Sequence, residues 1–415
     1  MKTILLLVFL MSAILSYFPK PEENPASGTT RALFSAPFKR KCVQTEMNCS
    51  RSILIPGAIS QRCRSSAEND LLYPDHQQEY ISENRANLDS IKIKSQNVSI
   101  IFWNVENFYD PYDDTTKLDD EFTPAGVKHW TWSKFSTKMY HIAKTLLAIG
   151  KWEAPAIIGL CEVENRYVLN KLIYETPLKP WKYKFIHHES PDLRGVDVAL
   201  LYRPDRFKVL CSQPVGIRFP FDTVSQTREI LIVKGILFGE DTLTLFVNHW
   251  PSRRGGNPES VLRRNFVAGV LKQKVDSVQR EKPGNILIMG DFNDEPENES
   301  LLLYLHAGTD TVPFGSRQLF NLMGIRNRKH QEGTLKFRDQ WSTFDQFIVS
   351  GTMLKGLSGI MAGPGNARVF RSSFLLEDDN TYFGDKLNRS YAGPRYHGGF
   401  SDHLPVVIVI KQVNR

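Results

Sequence analysis

Cysteine is scarce, with five residues in 415. An odd count cannot all pair, and no C-x-x-C or Cys/His spacing of zinc type occurs, so a disulfide mini-scaffold and a cysteine-based zinc module are both excluded. Cys42, Cys49 and Cys63 cluster in the N-terminal part, where an exported chain has room for one bridge. Cys161 and Cys211 stand inside apolar segments and read as inert core thiols. Internal repeats and low-complexity tracts are also missing, which removes solenoids and collagen-like rods. The apolar run from Ile4 to Leu15 falls short of the roughly 20 residues a membrane span takes. Following Lys2, it reads as a secretory signal, with an uncleaved signal anchor as the rival; no clean A-x-A cleavage site follows. Residues 1–18 are therefore expected to be a signal peptide or signal anchor, and the chain to be secreted or periplasmic. Charge of one sign is in small excess, +7 overall, which suits an anionic ligand without specifying one. What is present in quantity is ordinary: 41% hydrophobic and 23% charged residues, enough for a full core and too apolar for a disordered chain.

Residues 19–95 show no sustained periodicity. They hold Pro19, Pro21 and Pro25, the basic run Lys39-Arg40-Lys41 and the polar stretch Ser65 to Asp70, and read as a mostly irregular linker. From about residue 96 to 415 the texture changes to short apolar runs alternating with amphipathic stretches. Strands are expected at Val98–Trp103, Ala156–Leu160, Val196–Tyr202, Glu229–Phe238, Leu243–Val247, Ile286–Met289, Phe347–Val349 and Val406–Ile410. Phe135, Met139, Ile142 and Leu146 fall at helical spacing before Gly150 and Pro155, and a second helix is expected from Pro258 to about Val275. Strands mixed with helices along the whole stretch imply a layered α/β domain.

The informative pattern is where the polar residues sit. Strand ends carry Asn104, Glu106 and Asn107; Glu162 and Glu164; Asn248-His249; and Gly290-Asp291-Phe292-Asn293. Asp345 precedes a strand, and Ser401-Asp402-His403 leads into the last one. Loops at strand ends are where sheets assemble active sites. A phosphoester needs its charge neutralised, a water activated and a leaving oxygen stabilised. Carboxylates suit a hard cation such as Mg²⁺, histidines move protons near neutral pH, and amides hold an oxygen without adding charge. Singly, each has a plain reading: Asp-Phe-Asn as a turn, Ser-Asp-His as a cap, a lone Glu as a solvated strand end. Six such groups, all at strand ends, point to one site.

With these motifs the sequence resembles the endonuclease/exonuclease/phosphatase superfamily, the DNase I-like hydrolases, over roughly Val98 to Ile410. The marks are Asn104 with Glu106, Glu162 in Leu-Cys-Glu-Val, Asn248-His249, Gly290 to Asn293, Asp345, and Ser401 to His403. The resemblance implies a four-layer α/β sandwich of two packed mixed β-sheets flanked by helices. It implies that Glu162 anchors Mg²⁺ or Mn²⁺, with Glu106 and Asp402 in or near its shell. It implies that His403 is a general base or stabilises the attacked phosphate, with Asp345 orienting its ring. Asp291 and Asn293 place water and phosphate, Asn104 holds the substrate, and His249 assists the leaving or a non-bridging oxygen.

Beyond these shared motifs, Arg194, Arg253 and Arg254 lie in loops beside the motifs, and a guanidinium matches phosphate oxygens in a fork. Trp250 reads as a base-stacking ring or a cover for the sheet edge. Gln346 stands where many family members carry an aromatic residue, and the stretch from Gly351 to Gly399 reads as a lid, a substrate loop or a plain surface excursion. The reading is an exported, Mg²⁺- or Mn²⁺-dependent phosphoesterase, an endonuclease acting on nucleic acid by in-line attack of water. Its rivals are a phosphatase or phospholipase acting on sugar, inositol or lipid phosphates, and a catalytically silent binding module. Nothing points to an obligate protein partner.

Overall fold

A computed structural model describes residues 97–413 except 152, 254–257, 281, 311–314 and 325–332. The expected signal and linker, residues 1–18 and 19–95, lie outside the described residues, as do Cys42, Cys49, Cys63 and Arg254.

The first strand, β1 (Asn97–Phe108), is buried along almost its whole length, because both its faces are covered. Ile101, Trp103 and Val105 face one core, while Ile100 and Phe102 face another. The apolar run predicted a strand to Trp103, and the strand continues through the polar Asn104–Asn107. Helix α1 (Trp132–Gly150) buries Phe135, Met139, Ile142 and Leu146 against it. Then follow β2 (Ile157–Val163), α2 (Arg166–Tyr174), β3 (Lys184–His187) and β4 (Asp197–Tyr202). Asn165 caps α2, its side chain accepting from the amides of Tyr167 and Val168.

The next strands are β5 (Phe207–Val215), β6 (Ile230–Leu237) and β7 (Asp241–His249). Helix α3 (Pro258–Gln279) separates β7 from β8 (Asn285–Asp291). Short β9 (Ala307–Gly308) and β10 (Leu319–Asn321), the hairpin of β11 (Leu335–Phe337) with β12 (Gln340–Ser342), and β13 (Asp345–Ser350) come next. A turn of helix, α4 (Gly351–Leu354), leads to β14 (Ile360–Met361) and β15 (Ala367–Val369). Two hairpins, β16 (Leu376–Asp378) with β17 (Asp385–Leu387) and β18 (Tyr391–Ala392) with β19 (Arg395–Tyr396), precede β20 (Val406–Gln412).

These strands form two mixed seven-stranded sheets. One runs β14-β20-β1-β2-β4-β3, with β15 also on β20; the other runs β5-β6-β7-β8-β13-β10-β9. The sheets face each other through Ile100, Phe102, Leu200, Leu245, Met289 and Phe347. Helices α1 and α2 cover the outer face of the first sheet, and α3 covers the second through Val267, Leu271 and Val275. This is the four-layer α/β sandwich the resemblance implied. In the parallel pairs β1–β2 and β7–β8 the C-terminal ends lie side by side, and β13 begins with Asp345 opposite Asp291. The polar strand ends thereby meet at one edge of the sandwich.

Candidate active site

The backbone at this edge departs from regular strand geometry. The β1–β2 register shifts between Asn104 and Phe108, and the β2–β4 register shifts between Cys161 and Val163. Glu106, Asn107, Glu162 and Asn293 all adopt positive φ, between 51° and 60°. A bulge with a left-handed residue re-aims a side chain out of the pleat, at a cost of order 1 kcal/mol or more per residue. Here it turns Glu162 so that Oε2 accepts from the amide of Asn107 at 2.9 Å, while Asn104 Oδ1 accepts from the amide of Glu106 at 3.0 Å. Gly290 is demanded by a close approach: a Cβ there would come within 2.6 Å of Asn248 on the neighbouring strand.

The centre of the site is Asp291. Asn104 Nδ2 donates to its Oδ2 at 3.1 Å, and the amide of Asn293 donates to its Oδ1 at 2.9 Å. Burial, with the charge of Asp345 added, pushes its carboxyl up to about 6 against the pull of His403 and these hydrogen bonds. His403 Nδ1 lies 2.7 Å from Asp345 Oδ2, and Nε2 lies 3.9 Å from Asp291. Burial disfavours the imidazolium of His403, but the charges of Asp345 and Asp291 outweigh it and hold the ring well above its ordinary value. The ring's backbone is anchored: Trp103 Nε1 donates to its carbonyl at 2.9 Å, and its amide donates to Ser401 Oγ, which donates in turn to the Asn104 carbonyl.

His249 stands opposite, with Nε2 at 3.8 Å from both Glu162 and Asp291. Burial, and then the cations Arg228 and Arg194, drive its pKa well below the ordinary value, so the ring stays neutral. Its Nδ1 is buried without a hydrogen bond, as is Asp345 Oδ1. Cys161, His249 and Asp291 bring ligand atoms within 4.8 Å of one another, and so do Asp291, Asp345 and His403. Oxygen donors, a neutral imidazole, a buried carboxylate short of positive charge and a Glu162 oxygen open to the site fit a hard divalent cation such as Mg²⁺ or Mn²⁺.

The other acids expected at the metal are differently employed. Arg389 donates to Glu106 Oε1 through Nε at 3.1 Å and through a terminal nitrogen at 2.9 Å, and reaches Asp402 Oδ2 at 2.9 Å. Glu106 Oε2 accepts from the amide of Ser390 and lies 3.9 Å from the buried ammonium of Lys138. Burial brings that lysine down to about 8 despite the attraction of Glu106 and Asp402. Among the described residues, Glu162 keeps a carboxylate oxygen free of hydrogen bonds; Glu106 is bound on both sides by the protein.

The arginines divide as well. Arg194 is partly exposed, 3.6 Å from Asp192, and close enough to feel the charge of Glu162. Arg253 is spent on architecture: it donates to the Asn293 carbonyl and to Asp294, both at 2.8 Å, and lies over the Phe344 ring. It braces the Asp291–Asp294 turn in place of offering a fork to phosphate. Trp250 is buried edge-on against Phe292, so it covers the sheet edge. Gln346 is likewise buried, donating to the carbonyls of Asp294 and Thr343. Arg228, Lys138 and Arg389 carry no local mark of a role in the sequence. Arg228 bonds Asp192 Oδ2 at 2.9 Å and the Trp250 carbonyl at 2.6 Å, and its charge acts on His249. Each is far in sequence from the acid it serves, so no spacing signal existed.

A model of the Endonuclease/Exonuclease/phosphatase family matches residues 99–412. The chain belongs to that family. It is a phosphoesterase of the group, with candidate metal-binding residues at its active site. No curated protein matches the sequence. Among solved structures, an endonuclease/exonuclease/phosphatase family protein from Bacteroides thetaiotaomicron is 14% identical, with 78% of this chain and 100% of that one covered and a TM-score of 0.49. A humanized D. rerio TDP2 is 17% identical over 76% of this chain and 98% of that one, TM-score 0.48. The human nocturnin catalytic domain, with bound sulfate, is 15% identical over 77% and 98%, TM-score 0.46.

Proposed function

We propose that this family member is an exported nuclease that hydrolyses phosphodiester bonds by in-line attack of water. The observation that carries the chemistry is the placement of Asp291, whose carboxyl titrates at about 6 and is fixed by Asn104 and Asn293 beside His403. A carboxylate with that pKa accepts a proton from water near neutral pH. His403, held as a cation by Asp345, binds a non-bridging phosphate oxygen. The neutral His249 faces it from across the site on the leaving-oxygen side. Mg²⁺ or Mn²⁺ held at Glu162 would neutralise phosphate charge and lower the pKa of water. Cys161 is not poised as a nucleophile for a covalent intermediate: burial pushes its thiol far up, out of the thiolate range.

Nucleic acid as substrate is supported by the excess of basic residues, by Arg194 beside Glu162, and by an exposed ring cluster beyond β1. In it Tyr112 lies edge-on to Trp132 and Tyr167 at 5.0 and 6.0 Å between ring centres, a surface on which bases stack. Export is supported by the apolar run after Lys2. One observation favours a second reading, a phosphatase for a smaller phosphoester: Arg253, offered by the sequence to a polynucleotide backbone, is bonded to Asn293 and Asp294. The test is hydrolysis by the full chain, with Mg²⁺, Mn²⁺ or EDTA, of plasmid DNA, RNA, bis-p-nitrophenyl phosphate, phosphomonoesters and phospholipids. EDTA-sensitive cleavage of nucleic acid is the expected result. Turnover confined to a phosphomonoester or a phospholipid would overturn the nuclease and keep the site; silence on every substrate would overturn both.

A further inference from the structure

Away from Glu162 and Asp291, the end of β3 and the start of β4 bring together His187, Glu189 and Asp197. Each offers one ligand atom, all within 4.8 Å of one another. The His187 side chain is fully buried. Its Nε2 lies 3.1 Å from Asp197 Oδ2, which fixes the proton on that nitrogen and leaves Nδ1 with a lone pair. That Nδ1 is buried and has no hydrogen-bond partner. It faces Glu189 Oε1 at 3.8 Å, too far for a hydrogen bond. Two metal–ligand bonds of about 2.0–2.2 Å at a tetrahedral angle span roughly 3.4 Å, so a shift of a few tenths of an ångström would close the pair on one ion. Burial, with the charge of Asp197, also raises the Glu189 carboxyl against the pull of His187, so the group is short of positive charge. Lys117, whose charge also acts on it, gives its ammonium to the carbonyls of Ser190 and Asp192 at 3.0 and 3.2 Å.

We propose that His187 Nδ1 and Glu189 hold a second cation, separate from the one at Glu162, of the first-row zinc class; Asp197, whose Oδ1 accepts from the Ser190 amide at 2.9 Å, stands behind the ring and orients it. Imidazole with a carboxylate selects such an ion over Mg²⁺, which prefers an all-oxygen shell. The ion would tie the end of β3 to the loop that follows it, and the His187 ring carries that tie on to Asp197 at the start of β4. That loop carries Asp192, which bonds Arg228, and Arg194, which lies near Glu162. The site's role is to fix Arg194 and Asp192 in position. This consequence for substrate rests on the phosphoesterase reading above; cation binding does not.

The experiment is equilibrium dialysis of the full chain against Co²⁺ or Zn²⁺ in excess Mg²⁺, with metal counted by mass spectrometry and the Co²⁺ band followed by visible absorption. One equivalent is expected in the wild type and in Glu162→Gln. His187→Ala and Glu189→Gln should weaken it at least tenfold; the second variant changes a side chain that is 57% exposed and keeps the fold testable by circular dichroism. No tight equivalent in the wild type would overturn the proposal, as would an equivalent unchanged in folded Glu189→Gln. Loss in Glu162→Gln alone would assign the ion to the active site and overturn it too. At a metal concentration that fills the wild-type site, Glu189→Gln, which lacks the ion, should show a raised KM with kcat little changed; that result failing while the equivalent is lost would leave the metal site standing and remove only its link to Arg194.

Discussion

Asp345 and His403 meet at 2.7 Å, and the far nitrogen of the same ring points at Asp291 from 3.9 Å. One imidazole is thereby strung between two buried carboxylates that face each other on adjacent strands of one sheet, β13 and β8. Replacing Asp345 by Asn removes the largest attraction on the ring, so His403 should titrate lower. The pH–rate limb that reports it should move to lower pH, with kcat reduced and the fold kept. His403→Ala, which removes the cation at the phosphate oxygen, should cost on the order of 10²–10³ in kcat. An unmoved limb in Asp345→Asn would show that Asp345 does not tune the ring.

Glu162→Gln should nearly abolish metal-dependent turnover with thermal stability close to wild type. Its Oε2 accepts one amide, a bond a Gln carbonyl can keep, while the oxygen open to the site loses its charge. Calorimetric titration of Mn²⁺ gives a second readout, and undiminished Mn²⁺ binding in this variant would remove Glu162 from the metal.

His249 links stability to acid. An unfolded histidine titrates at about 6.5, and the folded one is held well below that. The unfolded chain therefore binds more protons as pH falls, so this contribution is full above about 6.5 and is lost on acidification. His403 acts in the opposite sense: raised in the folded chain, its contribution is present below about 6.5 and fades as pH rises through the folded value. In EDTA, His249→Gln should flatten the acid-side loss of stability by up to about 1.4 kcal/mol per pH unit. Urea melts between pH 4 and 8 check it; an unchanged slope would contradict a neutral His249.

Lys138 is the fully enclosed counter-charge of Glu106, 2% exposed, donating also to Ser390 Oγ at 2.7 Å. Lys138→Met leaves that carboxylate with Arg389 as its remaining cation in a dry setting. Removing one partner of a buried pair costs about 3–5 kcal/mol. Urea denaturation at neutral pH should show a loss of that size, and a loss under about 1 kcal/mol would mean that Arg389 suffices.

What could be read in the sequence follows from distance along the chain. Asp291, Asn293, His249 and His403 sit at the ends of apolar runs, where a change from Ile, Val and Met to Asp, Asn and His is visible locally. The strands β3 and β5 escaped notice because they are edges: β5 alternates poorly, with Ser212, Gln213 and Pro214 half-exposed or exposed, and β3 has four residues. The apolar run of β1 stops at Trp103 and the residues after it are polar; their burial comes from the site they build. The long stretch before Ser401 carries no hint that it folds into two hairpins, with Arg389 and Ser390 in the link between them holding Glu106. Counter-charges are paired by the fold, over 283 positions in that case, and leave no pattern in sequence.

The left-handed backbone at Glu106, Glu162 and Asn293 has a consequence for how this protein tolerates change. At such positions glycine is the residue with no conformational penalty, and Asn bears it better than Glu. A chain selected only for thermal endurance would drift to Gly at position 162 and gain up to about 1 kcal/mol there. It would arrive at a sturdier molecule with no anchor for its cation. Durability and turnover pull on the same torsion angle, so stabilising screens run without an activity filter should return inactive variants at this position first.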